Sequence, residues 1–234
     1  MSIELQDISL IYNKGTTLER VVLDKVSMTI TQGKFAALIG NNGAGKSTLA
    51  KVIAGEVIVN EGKVIIGNQD CTNIRDFDRA KFISRVFQDP GKGTARNLTV
   101  LENLIFASRR DLKRTLVLFL KKDPRAFFKK KLQELNAGLE DKLDEPVFML
   151  SGGQRQILSL LMAVLRPSKI LLLDEHTAAL DPEAAKLVMR FTHHLLRNHN
   201  MTTIMITHDM SELDYCDEVY AITNCKIKKM HKNF

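Results

Sequence analysis

Gly40-Asn41-Asn42-Gly43-Ala44-Gly45-Lys46-Ser47 follows an apolar run at 35–39 and opens a helical pattern, Lys46–Ala54, that Gly55 stops. The run before the loop reads as a strand, so the order is strand, glycine-rich loop, helix. That order suits a phosphate cradle. Glycines let backbone N–H groups converge on phosphate oxygens without obstruction by side chains. The helix N-terminus adds the positive end of its dipole. Within the cradle Gly40, Asn41, Asn42, Gly43, Ala44 and Gly45 supply the backbone. Lys46 is placed to neutralise the β- and γ-phosphates, Ser47 to ligate Mg²⁺ and Thr48 to donate to the α-phosphate. A plain glycine turn before a helix is the simpler alternative. The cradle alone points to a nucleoside triphosphate, a ligand shared by kinases, GTPases, helicases and transport ATPases.

Further along, the apolar stretch 170–173 is followed at once by Asp174-Glu175. In open α/β sheets ligands sit at the carboxyl ends of strands. Two adjacent carboxylates there cost desolvation unless a cation or a water uses them. Asp174 is the candidate to hold Mg²⁺ through water, and Glu175 to polarise or align the attacking water. An exposed acidic turn is the alternative.

Leu150-Ser151-Gly152-Gly153-Gln154 narrows the class. Ser151-x-x-Gln154 fits a capping box opening a helix that runs to Leu165. The box does not require two glycines in the first turn, each costing up to about 1 kcal/mol against Ala. Close approach of a phosphate to the backbone accounts for them. With this stretch the chain resembles the ABC (ATP-binding cassette) ATPases. The resemblance implies that Ser151, Gly153 and Gln154 face the γ-phosphate held by a second subunit, and hence an ATP-induced, head-to-tail homodimer.

The resemblance covers nearly the whole chain, with motifs in the family's order, and assigns further residues. Gln88, in Val86-Phe87-Gln88-Asp89, matches the glutamine that reaches Mg²⁺ and the water and links core to helical lobe. His208, in Ile206-Thr207-His208-Asp209, matches the switch histidine. Ala179-Leu180-Asp181 matches the loop that crosses to the partner, although Asp181 also reads as a helix N-cap before Pro182. Tyr12 stands where the family places an adenine-stacking aromatic; a plain strand tyrosine is the other reading. One departure is visible: His176 follows Glu175 where the family often has proline, which bears on loop stiffness and rate.

The rest of the chain agrees with an α/β fold. Residues 57–66 read as a hairpin turning at Asn60-Glu61-Gly62. From about 98 to 165 the pattern is mostly helical, with Pro124 and Gly138 as punctuation and a helix ending at Glu145-Pro146. Residues 203–206 and 219–222 read as short strands. Alternation of strand and helix at both ends predicts a mostly parallel sheet. The resemblance makes this a P-loop NTPase core with an antiparallel β subdomain and an inserted α-helical subdomain: one domain over 1–234, core about 1–87 and 166–234, lobe about 88–165.

The chain has 234 residues, 44% hydrophobic and 26% charged, an ordinary globular balance. No apolar run approaches the roughly 20 residues of a membrane span, and residues 1–7 lack the marks of a signal peptide. Cys71, Cys216 and Cys225 show no metal-ligand spacing and read as bystander thiols. The net charge of +7 is local: residues 109–131 carry ten basic and two acidic residues. This argues against general nucleic-acid binding. Solvated helix faces, anionic lipid headgroups and nucleic acid are the three readings of that segment.

As an ABC protein with a single cassette and no span, the chain is expected to be a transporter ATPase subunit. It would be cytoplasmic, peripheral on the membrane, and docked on separate transmembrane permease subunits. Importer-type resemblance adds a solute-binding protein in the same system. Phe87-Gln88-Asp89-Pro90 and the stretch from Asp174 to Pro182 look similar to an importer group tied to amino acids, aromatic ones among them. Action on ribosomes or nucleic acid is the alternative. A C-terminal regulatory domain is not expected beyond Phe234.

Overall fold

The computed structural model describes residues 1–109, 123–165 and 168–231. The chain divides into two compact units.

The first unit comprises Met1–Arg85, Ser168–Glu175 and Asn200–Phe234. Its strands are β1 (Ile3–Tyr12), β2 (Arg20–Ile30), β3 (Phe35–Gly40), β4 (Glu61–Ile66), β5 (Gln69–Asp70), β6 (Ile83–Val86), β7 (Ile170–Asp174), β8 (Thr202–Ile206), β9 (Glu218–Thr223) and β10 (Lys226–Met230), with helices α1 (Lys46–Ala54) and α2 (Asp76–Arg79). One sheet runs β10-β9-β3-β8-β7-β6. β3 pairs parallel with β8 and β9, and β7 pairs parallel with β8; β10 lies antiparallel on β9. Leu38, Ile206 and Asp174 are brought abreast by these pairings. All five residues of β8 are buried, so this central strand shows no alternation of buried and exposed positions. The second sheet, β2-β1-β4-β5, is antiparallel. A single apolar core joins it to α1 and the parallel strands through residues such as Ile8, Leu23, Leu49, Ile53 and Ile204.

The expected hairpin over 57–66 is not formed. Strand begins only at Glu61, pairs with β1, and turns through Gly67-Asn68 into β5, where Ile66 faces Gln69. Gly62 sits beside a bulge in β1 at Asp7. Its φ is +94°, and a Cβ there would lie 2.4 Å from the Gln6 carbonyl oxygen. The glycine that suggested a turn marks close backbone approach at a bulge instead.

The second unit, Val86–Pro167 and His176–His199, holds α3 (Val100–Ser108), α4 (Pro124–Glu134), α5 (Gly152–Val164) and α6 (Pro182–His199). By compactness α6 groups with these helices, whereas the expected division at 88–165 leaves it with the sheet. Asp123 caps α4 with Pro124 at its first position. The expected helix end at Glu145-Pro146 is absent, because α4 stops at Glu134. The Glu145 and Leu143 carbonyls instead accept from Val100 and Leu101 N–H, the unsatisfied donors that open α3.

Of the basic segment, residues 110–122 lie outside the described residues. On α4, Arg125 and Lys129 pair with Asp144 and Asp141 in exposed positions. Among the described residues no helix is long and apolar enough to cross a membrane. Among the described residues Cys71, Cys216 and Cys225 form no disulfide.

Candidate functional site

The cradle forms at the junction of β3 and α1. Gly45, the residue before α1, has φ +105°, and a Cβ on it would lie 3.0 Å from the Val22 carbonyl oxygen, so only glycine fits there without strain. Lys46 is 5% exposed, and its Nζ donates to the Gly40 and Asn41 carbonyl oxygens at 2.7 and 3.1 Å. The ammonium is thereby held inside the curve of the loop. Asn41 O also accepts from Ala44 N–H, closing a turn. Tyr12 and Arg20 face each other across β1 and β2. Together with Val22, residues of the loop, Thr48 and Glu175 they line a cleft of about 360 Å³.

The acid pair sits at the carboxyl end of β7. Ser47 Oγ lies 3.5 Å from Asp174 Oδ1, so hydroxyl and carboxylate converge at the strand end. Asp174 Oδ2 accepts from Arg85 Nη2 at 2.7 Å, and Arg85 Nη1 reaches Glu56 Oε1 at 2.5 Å. Glu175 takes φ +47°, an uncommon conformation for a residue with a Cβ, and its N–H donates to Ile206 O. Backbone strain of this kind concentrates at functional positions. His208 follows β8 on the same edge and is exposed. Behind it Thr207 donates to buried Glu212 at 2.5 Å. Asp209 accepts from Ser211, a hydrogen bond that holds its carboxyl below the usual range, with the nearby His208 adding a smaller effect. The first unit thus brings Tyr12, the loop 40–48, Asp174 and Glu175 together, with His208 on the same sheet edge.

Gln88, Ser151, Gly153, Gln154 and Asp181 belong to the second unit. Gln88 is exposed, and the carbonyl just before it, on Phe87, accepts from Gln156 Nε2 of α5 at 3.1 Å. The capping box opening α5 is formed: Gln154 N–H donates to Ser151 Oγ, and Ser151 N–H to Gln154 Oε1. The two glycines have a cause inside the chain. A Cβ on Gly152 would lie 3.1 Å from Leu180 Cδ2, and one on Gly153 would lie 3.3 Å from Ala184 Cβ, so α5 and the start of α6 pack closely there. Asp181 accepts from Ala184 N–H at 2.9 Å, which realises the N-cap reading. His176 is buried, and its Nε2 lies 3.3 Å from Thr192 Oγ1.

Sequence reasoning missed Arg85. Its signal was a lone cation in the short strand Ile83-Ser84-Arg85-Val86, a place where charge needs a partner. It also missed Glu212, which stands four residues beyond His208.

A glycine-rich cradle on a parallel sheet, with a hydroxyl, an acid pair and a histidine along one edge, defines a P-loop nucleoside triphosphatase. Residues 23–178 match the family model described as ABC transporter. A tyrosine transport ATP-binding protein of Clostridioides difficile (strain R20291) is 40% identical over 205 residues, 86% of this chain and 80% of that one. The phosphonates import ATP-binding protein PhnC of Lactococcus lactis subsp. cremoris (strain SK11) is 33% identical over 235 residues, 96% of this chain and 91% of that one. Among solved structures, the ATP-binding cassette MJ0796, as a dimer in a post-hydrolysis state bound to ADP and Pi, superposes with a TM-score of 0.76 at 26% identity. That match covers 98% of this chain and 99% of that one. The chain belongs to the ABC transporter family, as an ATP-binding, ATP-hydrolysing subunit. Action on ribosomes or nucleic acid finds no support among these relatives.

Proposed function

We propose that this subunit powers solute import through separate transmembrane permease subunits, working as an ATP-induced, head-to-tail homodimer on the cytoplasmic face of the membrane. The observation that carries the reading is the similarity to a phosphonates import and a tyrosine transport ATP-binding protein along most of the chain, joined to the cradle and acid pair. In this scheme Lys46 and the loop N–H groups hold the phosphates, Tyr12 stacks on adenine, and Glu175 with His208 and Gln88 positions and polarises the attacking water. Ser151, Gly153 and Gln154 cap the γ-phosphate of the partner subunit, and Asp181 lies where the two subunits cross. The segment 88–165 acts as the lobe that docks on the permease, and closure of the dimer drives it. A solute-binding protein completes the system. The solute is an amino acid, with an aromatic side chain favoured by the tyrosine-transport relative.

Magnesium fits the residues present. Ser47 Oγ and Asp174 Oδ1 are hard oxygen donors, converged at the strand end beside the cradle. Bound there, the ion would neutralise phosphate charge; the protein's part is to fix the oxygens that face it.

The test is size-exclusion with light scattering on Glu175→Gln, with and without ATP and Mg²⁺. A monomer that becomes a dimer only with ATP supports the proposal. A persistent monomer with ATP bound refutes ATP-induced dimerisation, and a pull-down from membranes then tests the permease link on its own.

A further inference from the structure

Among the described residues Arg85 is the cation paired with the aspartate read as magnesium-facing, and neither motif nor mechanism has used it. Its side chain is 11% exposed and holds two carboxylates at once, Asp174 at 2.7 Å and Glu56 at 2.5 Å. Asp174 is itself only 17% exposed. A free carboxylate presents two equivalent oxygens to a cation. Here the guanidinium takes Oδ2, and Oδ1 is left beside the Ser47 hydroxyl. Glu56, just beyond the glycine that ends α1, occupies the other guanidinium nitrogen and keeps the fork from swinging away. An arginine suits this task better than a lysine, because its planar donors engage two acceptors in fixed directions.

We propose that Arg85 is a positioning residue for the metal site: it selects Oδ1 of Asp174 as the metal-facing oxygen and holds it there. The inference rests on the reading that Asp174 faces magnesium. Groups that hydrogen-bond a ligating carboxylate commonly carry a large share of metal affinity. A purely repulsive guanidinium would do the opposite, and its removal would tighten cation binding.

The experiment uses the full chain with the non-hydrolysable analogue AMP-PNP and Mn²⁺ as the probe ion, free Mn²⁺ being read by electron paramagnetic resonance. Nucleotide affinity without metal is measured in parallel with a fluorescent ATP analogue in EDTA. Arg85→Met is expected to weaken Mn²⁺ binding about tenfold while metal-free nucleotide affinity stays within about twofold. Arg85→Lys, which keeps the charge and one contact, should fall between it and the parent. Should the methionine variant fail to fold, Arg85→Gln is held to the same limits. Unchanged or tighter Mn²⁺ binding overturns the proposal, as does an equal loss of metal-free nucleotide, which marks a structural role only. Asp174→Asn runs beside them. If it binds Mn²⁺ like the parent, the metal reading itself fails; if it loses Mn²⁺ while the Arg85 variants do not, only the positioning role fails.

Discussion

His176 Nε2 meets Thr192 Oγ1 at 3.3 Å inside the helical unit, and the direction of that hydrogen bond can be deduced. The Thr192 hydroxyl already donates to Val188 O at 2.8 Å, so the imidazole must carry its proton on Nε2. Nδ1 is then bare, buried and without a hydrogen-bond partner among the described residues. Burial pushes the pKa of His176 down to about 4. The unfolded chain takes up this proton below about pH 6.5, the folded chain only below about 4. Stability from neutral His176 is therefore full above the higher value and declines as pH falls through the window between the two. The full swing is about 3 kcal/mol. Urea unfolding of the parent and of His176→Gln should show their stability difference shifting by that order between neutral pH and pH about 4. A difference that stays constant across the window would refute the assignment.

Arg79 should matter more for folding than any other cation in the sheet unit. It is 1% exposed, forms no ion pair with a carboxylate among the described residues, and donates to five carbonyls: Ile74, Val52 and Ile53 at 2.8 Å, Thr72 at 3.4 Å, and Cys71. Two of these, on Val52 and Ile53, lie in the last turn of α1, so the cation also meets the negative end of the cradle helix. Arg79→Met strands several buried acceptors and should cost at least about 3 kcal/mol in chemical denaturation. A loss under about 1 kcal/mol would show that water satisfies them.

Gly62 and Gly138 separate steric exclusion from backbone strain. Both have positive φ, +94° and +67°. A Cβ on Gly138 meets nothing within 4 Å, whereas one on Gly62 collides with backbone oxygens of Gln6 and Asp7. Gly138→Ala should cost about 1 kcal/mol, the left-handed penalty alone. Gly62→Ala should cost several times that and lower the thermal midpoint accordingly. Equal losses would mean that β1 yields freely at its bulge.

Catalytic roles are separable by kinetics. Glu175→Gln should retain ATP affinity and lose turnover by about 100-fold or more. Lys46→Ala should raise the dissociation constant for ATP, and Ser151→Arg should spare binding while abolishing turnover. Parent-like hydrolysis by Glu175→Gln would remove it as the base, and full activity of Ser151→Arg would remove the capping of one subunit's nucleotide by the other.

Much of this was legible in the chain because local signals agreed with global ones. The run 35–39, the cradle and Gly55 bound β3 and α1 within a residue, since strand burial, helix start and helix stop coincide there. Two signals misled. Asn60-Glu61-Gly62 has turn composition, but Gly62 answers to a strand lying across it, a contact made with residues far away in sequence. Glu145-Pro146 has the look of a helix end, yet it satisfies the start of a different helix. Arg85 was hidden for the same reason: nothing near it announces Glu56 or Asp174, which only the sheet order brings within reach.

The capping boxes of α3 and α5 are built alike and finish with opposite polarity. In α3 the Thr99 hydroxyl spends its proton on Glu102, so what remains at that tip is a carboxylate. In α5 the Ser151 oxygen accepts and the Gln154 oxygen accepts, which uses up acceptors and leaves a hydroxyl proton and an amide NH₂ uncommitted among the described residues. One helix tip ends in a charged acceptor, the other in uncommitted donors. Exchanging Gln154 for Glu would keep the cap while reversing that sign, so NH₂ for O separates a purely structural helix start from the one that, in the proposed scheme, receives the partner's phosphate.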